Sequence, residues 1–128
     1  MAQTRATRNH IVGTAALQTD GTTHYYMKGI GWPFLVLQFN NTAGVAGTNT
    51  LTVWASAVDD GTAPAAIAAS DWVNVTNAWF GAATFTATAF MARTTAIQVS
   101  NIRIRVIRSA DGANNDGAWT IRAVQHSS

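Results

Sequence analysis

Two arginines alternate with aliphatic residues along the stretch NIRIRVIR, which precedes a loop rich in Asp, Asn and Gly. Side chains of an extended strand point to opposite faces in turn, so Arg103, Arg105 and Ile107 share one face. Ile102, Ile104 and Val106 share the other. If the strand WTIRAV pairs with this one across the loop, Arg122 joins them in one cationic patch. Because like charges on neighbouring strands repel, we expect an acidic group of this chain or of another to form ion pairs with these arginines. The alternative is a solvated outer face whose charges prevent edge-to-edge pairing.

The loop itself, SADGANNDGA, offers carboxylate and amide oxygens of the kind that bind calcium. Its spacing fails the EF-hand pattern, because aligning Asp116 and Gly117 puts Gly112 at the first ligand position. Asn, Asp and Gly are also the residues that tight chain reversals need. We therefore expect a long β-hairpin tip, with a calcium loop as the alternative.

Other residues that could carry catalysis or bind a metal are sparse. Four of the six aspartates precede glycine, as in reverse turns, and the adjacent Asp59 and Asp60 would point to opposite sides of an extended chain. No carboxylate pair suited to acid–base work stands out, and there is no cysteine and no G-x-S-x-G motif. The histidines lack metal-binding spacing. We predict a protein that is not an enzyme and has no metal or cofactor; the competing hypothesis, a small hydrolase, would need one essential Asp. The three histidines are His10, His24 and His126.

Five tryptophans are many for 128 residues. Tryptophan is enriched in cores and protein interfaces, and it also stacks on sugars and bases. We expect packing to account for most of them. Trp54 lies opposite the apolar face of TLTVWASAV, so we expect it to meet a partner or ligand, and Trp79 is the second candidate for such a contact.

Charge is scarce in this sequence. Charged residues make up 11% and hydrophobic residues 48%, there is no Glu, and the net charge is +2, whereas an ordinary soluble domain has about 25% charged residues. Nucleic-acid binders cluster many basic side chains, so this balance argues against a nucleic-acid partner. No apolar run indicates a membrane anchor. A surface so poor in charge favours contact with other protein, as in an oligomer or a lattice.

Apolar runs of strand length, separated by turn residues at short spacing, predict an all-β protein. We expect one antiparallel β-sandwich domain, jelly-roll-like, over residues 11–128, and an extended N-terminal arm over residues 1–10. The run FLVLQFN is apolar on both faces, so it predicts a central strand or one covered by a partner. A short helix is predicted over residues 63–70, with Pro64 in its first turn. About eight strands are expected, near 11–18, 23–30, 34–40, 50–58, 72–76, 84–91, 96–107 and 119–125.

The stretches TLTVWASAVDDGTAP, DWVNVT, FTATAFM and IQVSNIRIRVIRSADGANNDGAWTIRAV together resemble small β-sandwich structural proteins of tailed bacteriophages, of the head decoration or cement type. The resemblance covers about residues 50–125 and is one of pattern, without a diagnostic motif or catalytic residues. It implies a jelly-roll-like sandwich, commonly trimeric, seated where major capsid proteins meet and stabilising the shell against the pressure of packaged DNA. The implied location is the outer surface of the virion, after synthesis in the host cytoplasm.

Two functions therefore stand as hypotheses. In the first, the chain is a capsid decoration protein that binds the major capsid protein and itself, as a homotrimer, and no nucleic acid or membrane. In the alternative, it is a glycan- or receptor-binding module of a phage tail or fibre, using exposed Trp and the loops 41–49, 59–71 and 109–118. The interface candidates in the first case are Arg5 and Arg8 of the arm and Arg103, Arg105 and Arg122 of the strands.

Overall fold

A computed structural model of the chain describes residues 7–15, 21–43, 48–84, 89–94, 99–109 and 117–127. These residues form eight β-strands, one short α-helix and two single 3₁₀ turns, at Pro64–Ala66 and Ala69–Asp71. The other elements are β1 (Thr7–Ala15), β2 (Gly21–Lys28), β3 (Phe34–Ala43), β4 (Thr48–Ser56), β5 (Val73–Asn74), α1 (Thr76–Phe80), β6 (Ala89–Thr94), β7 (Asn101–Ser109) and β8 (Gly117–His126).

The strands form two four-stranded sheets, in the orders β1-β8-β3-β6 and β2-β7-β4-β5. Every strand pair in the described residues is antiparallel. This order, in which successive strands mostly alternate between the sheets, is that of an eight-stranded jelly roll built from two Greek keys. The predicted all-β, antiparallel, jelly-roll-like sandwich is therefore confirmed.

The core lies between the two sheets and consists of the inward side chains of alternating residues. In β3, Leu35, Leu37 and Phe39 are 0–1% exposed. β3 lies between β8 and β6, as its two-sided apolar sequence predicts. At about 25 cal/mol per Å² of buried apolar surface, this layer supplies most of the favourable free energy of folding. The remaining core residues are Met27, Leu51, Val53, Ile102, Ile104, Val106, Ile121 and Ala123.

The prediction that the strands on either side of the 109–118 loop form a hairpin is wrong. β7 pairs with β2 and β4, whereas β8 pairs with β1 and β3 in the opposite sheet. Alternation of apolar and polar residues places one face of each strand inward in both arrangements, so the pattern does not distinguish a hairpin from a crossing of the sandwich. A connection of this length can span the roughly 10 Å between packed sheets. Residues 110–116, on which both the hairpin-tip and the calcium interpretation depend, lie outside the described residues.

The segment predicted as an extended arm overlaps β1. Thr7 to His10 pair with β8, from Thr7 opposite His126 to His10 opposite Ala123. Pairing satisfies the backbone N–H and C=O groups of an otherwise polar segment, and an edge strand tolerates polar residues well. Arg5 lies outside the described residues, and Arg8 is in β1 opposite Gln125.

The helical prediction for residues 63–70 is met in part. Two 3₁₀ turns replace one short helix, and Pro64 begins the first of them, at the position where its missing N–H costs least. The helix α1, five residues long, was not predicted, and it ends at Gly81 with φ of 76°. A left-handed glycine at this position is a common helix stop.

Two buried polar side chains are hydrogen-bonded at one end of the sandwich: Gln125 joins the two sheets, and Asn101 makes its bonds on the side of its own sheet. Gln125 of β8 is fully buried, and its Nε2 donates to the Lys28 carbonyl at the end of β2 at 2.8 Å. Asn101, also fully buried, accepts from Lys28 Nζ at 2.9 Å and donates to the Val58 carbonyl at 2.8 Å. The Gln125 bond fixes how the sheets align and the Asn101 bonds fix how the strands of one sheet align, because any other register would leave these groups buried without partners.

Candidate functional site

The outward side of the β2-β7-β4-β5 sheet carries two cross-strand rows that define the candidate site. In one row, Arg103 of β7 stands between Tyr26 of β2 and Trp54 of β4. In the next row, Arg105 stands between His24 and Thr52. Trp72, just before β5, covers the first row from the side. We call this surface the Arg–Trp face; its residues are His24, Tyr26, Thr52, Trp54, Trp72, Arg103 and Arg105.

Arg103 is the centre of the Arg–Trp face. Its guanidinium carbon lies 4.9 Å from the ring centroid of Trp54 and 4.8 Å from that of Trp72. Arg103 is only 8% exposed and Trp72 only 5%. At such distances the positive charge is attracted to the negative faces of the rings, and the attraction grows when water is excluded. Arg105 lies 5.8 Å from the Trp54 ring, so it shares that indole with Arg103.

No acidic side chain in the described part of the chain forms the expected ion pair with Arg103 or Arg105. Burial lowers the pKa of Arg103; Tyr26 opposes this shift, and the charge of Arg105 reinforces it. Guanidinium nevertheless stays protonated in proteins. The Nε atoms of Arg103 and Arg105 are both buried without a hydrogen-bond partner among the described residues. The tryptophan rings therefore partly compensate the charges, while in-plane N–H donors are left unsatisfied.

His24 extends the face towards solvent. It is an exposed side chain whose ring meets that of Tyr26 edge-on, with centroids 6.2 Å apart. Partial burial and then the charges of Arg103 and Arg105 lower the pKa of His24 below its usual 6.5. The imidazole is therefore neutral at pH 7, and a negative charge placed beside it would favour its protonation.

Local hydrogen bonds hold the tryptophans in place. Trp54 Nε1 donates to the Thr52 hydroxyl at 2.8 Å, two residues back on the same side of β4. The 3₁₀ turn Ala69–Asp71 delivers Trp72 to the sheet. The fully buried Thr76 holds the segment after Trp72 against β4, because its hydroxyl accepts a hydrogen bond from the Val53 N–H at 2.8 Å. Both indoles are thus oriented by the fold before any partner binds.

The structure brings together three of the residues singled out from sequence and places Arg8, Arg122 and Trp79 elsewhere. Arg103, Arg105 and Trp54 share the Arg–Trp face, with Trp54 half-buried. Arg122 is wrongly predicted to join them: it belongs to β8 in the opposite sheet, beside Gln38. Trp79 packs against the hydrophobic core.

Sequence reasoning missed Trp72, Tyr26 and His24 as members of the site. The alternation in THYYMK carried a signal, since His24 and Tyr26 are two residues apart and therefore share a face. Trp72 gave no such signal, because it reaches the sheet through a turn and not through a strand of regular period.

Other surfaces offer less organised chemistry. Among the residues whose exposure the structure describes, the exposed large apolar ones are scattered: Ile30 precedes β3, Val73 is in β5 and Met91 is in β6. Within the described ranges, no group of three or more His, Cys, Asp or Glu side chains could hold a metal ion. No helix among those residues is long and apolar enough to span a membrane.

Structural comparison finds the same fold in the SPBc2 prophage-derived protein YomS. The TM-score is 0.60 at 8% sequence identity, and the match covers 98% of this chain and 97% of that one. A structure of infectious bursal disease virus, Gx strain, matches with a TM-score of 0.50 at 13% identity, over 97% of this chain and 32% of that one. No protein-family model matches the sequence, and no curated protein matches it. Likeness at these identities shows the fold alone.

Proposed function

We propose that this chain is a structural protein of a bacteriophage virion, a capsid decoration or cement protein that performs no catalysis. The observation that carries the proposal is the Arg–Trp face, in which a buried arginine contacts two tryptophans on the outer side of a sheet. Trp, Tyr and Arg are the residues that most often dominate the binding free energy of protein interfaces. The face therefore suits a protein partner, which we take to be the major capsid protein.

The composition and the fold support the same proposal. With 11% charged residues, much of the surface lacks the charges that keep a small monomer soluble. The fold matches a prophage-derived protein over nearly the whole of both chains, and it also matches part of a virus structure. On this proposal the chain is made in the host cytoplasm and sits on the outer surface of the capsid as a homotrimer. Native mass spectrometry of the purified protein tests the trimer.

The alternative, a glycan-binding module of a tail or fibre, finds less support in the geometry. A sugar-stacking site needs an open aromatic ring, whereas Trp79 packs against the core and Trp54 contacts Arg103 and Arg105. Binding to a glycan array that disappears in Trp54→Ala would restore this alternative. Silence on the array together with binding to particles would dismiss it.

Incorporation into particles tests the proposed function directly. Particles of the encoding phage are purified, and mass spectrometry measures the ratio of this chain to the major capsid protein. We expect a fixed ratio for the native chain and loss of incorporation for Arg105→Asp, which reverses a charge on the Arg–Trp face. Arg93→Asp and Arg122→Asp make the same change on β6 and β8 of the other sheet, and we expect them to be retained.

Two results of this experiment would contradict or change the proposal. Absence of the native chain from particles contradicts the proposed function. Full occupancy by Arg105→Asp, with loss of Arg122→Asp, would move the contact to the β1-β8-β3-β6 sheet.

A further inference from the structure

The Arg–Trp face holds an excess of positive charge that the described part of the chain leaves uncompensated. Arg103 and Arg105 lie in adjacent rows, with His24 next to Arg105. Arginine side chains so close on one sheet face repel each other. The indole rings attract the charge of each guanidinium but accept none of the in-plane hydrogen bonds that an oxygen would accept.

Two buried donors mark where such an oxygen is missing. The Nε atoms of Arg103 and Arg105 have no acceptor among the described residues, although buried polar groups are nearly always hydrogen-bonded. Arg103 is itself more than nine-tenths buried, while the neighbouring Arg105 is half-buried and His24 is exposed. A ligand would therefore reach the pair from the side of His24 and Arg105.

We propose that the Arg–Trp face binds an acidic segment of the partner protein, whose carboxylates accept hydrogen bonds from Arg105 and Arg103 beside His24. The inference rests on the proposed function, because it gives the chemistry that the capsid partner must present. A carboxylate matches a guanidinium because its two oxygens can accept two parallel N–H bonds in the guanidinium plane. The tryptophans hold that plane fixed, so little ordering remains to be done on binding.

A protein carboxylate fits better than a nucleic-acid phosphate. Single-stranded nucleic acid is held by exposed aromatic rings and a long basic groove. Here Trp72 is buried, and the ring of Trp54 is already in contact with Arg103 and Arg105. The net charge of the chain is only +2. A second copy of this chain fits poorly too, since it offers six aspartates and no glutamate. Among those aspartates, Asp60 already accepts two hydrogen bonds from Thr62.

His24 couples this binding to pH. Among the side chains that the structure describes, the charged or titratable groups that face it are Arg105 opposite, Arg103 on the diagonal and Tyr26 on its own strand. The 3₁₀ turn Pro64–Ala66 next to β2 contributes none. A carboxylate at the face would offset the two arginines and raise the pKa of His24, so binding takes up a proton. Affinity should therefore rise as the pH falls from 7.5 to 6, where carboxylates are still ionised.

The test uses the whole chain and a fluorescein-labelled hexaglutamate peptide, with fluorescence polarisation as the measurement at low salt. We expect binding at pH 6 that weakens at pH 7.5 and in 0.5 M NaCl, and no binding of a hexaglutamine peptide. Arg105→Gln should weaken binding about tenfold or more, the usual effect of losing a charged hydrogen bond. Arg93→Gln, an exposed arginine of the other sheet, should bind like the native chain. His24→Gln should bind with the pH dependence reduced.

Several results would overturn the inference. Equal binding of hexaglutamine, tighter binding of a labelled twelve-residue oligothymidine, or equal affinity of Arg105→Gln and Arg93→Gln would each do so. Dissociation of the purified oligomer by Arg105→Gln would show that a second copy covers the face. These results are separable from failure of the proposed function, because a chain missing from particles could still bind the peptide, and an incorporated chain could fail to bind it.

Discussion

His24 makes the stability of the folded chain depend on pH through a single side chain. Its pKa in the folded state is lowered by partial burial and by Arg103 and Arg105, whereas in the unfolded chain it lies near 6.5. Above that pH both states are neutral. As the pH falls below about 6.5, the unfolded chain binds the proton first, so the free energy of unfolding decreases until the lower, folded-state pKa is passed.

We predict that His24→Gln loses less stability than the native chain between pH 7.5 and 5.5, a window that lies above the carboxylate range. Urea unfolding at pH 7.5, 6.5 and 5.5 measures the difference. Arg93→Gln serves as the control and should retain the native pH dependence, because it removes a distant positive charge. An identical decrease in the native chain and in His24→Gln would mean that groups other than His24 carry the whole effect.

Gln125 joins one pair of strands from opposite sheets, because its side chain reaches from β8 to the last residue of β2. Replacing Gln125 with Leu keeps a similar volume but leaves the Lys28 carbonyl, the acceptor of a part-buried hydrogen bond, without this donor. We predict a loss of about 1–3 kcal/mol in the free energy of unfolding, the usual cost of an unsatisfied buried group. Gln38→Leu on the outer side of β3 is the matched control, and its effect should stay within about 0.5 kcal/mol. Equal effects in urea unfolding would show that the crossing bond does not stabilise the sandwich.

Element positions were largely predictable from periodicity, and their pairing was not. Alternation in NIRIRVIR and TLTVWASAV predicted which faces of β7 and β4 are buried, and the two-sided apolar run of β3 predicted its central place. Pairing partners depend on where loops lead, and the connection between β7 and β8 is compatible with either a hairpin or a crossing. For that reason Arg103 and Arg105 were correctly grouped, while Arg122 was assigned to the wrong sheet. Trp72 could not be predicted as part of the site, because a turn and not an alternating strand places it there.

At the scale of the whole molecule, one core serves both sheets. Val53 and Ile104 from one sheet and Leu37 and Ile121 from the other belong to the same buried cluster. If one sheet unfolds, the apolar inner face of the other is exposed to water, so the two sheets should unfold together.

We predict coincident urea transitions by tryptophan fluorescence and by far-ultraviolet circular dichroism. Tryptophan emission reports in part on Trp54 and Trp72 of one sheet, whereas circular dichroism reports on the strands of both. Ile104→Ala should lower the free energy of unfolding by the same amount in both signals, about 2–5 kcal/mol. Separate midpoints for the two signals would mean that the sheets are independent units of stability.

The order of strands also governs when the chain can fold during its synthesis. β4 and β5 are the one pair of sequence neighbours among the described strand pairs, whereas β1 pairs with β8 and β2 with β7. As the chain leaves the ribosome, its first three strands must therefore wait for partners made much later. β8 is inserted between β1 and β3, so a nascent chain that stops before Gly117 lacks the strand that joins them. Until that strand emerges, the apolar faces of the earlier strands remain exposed to other chains in the cell.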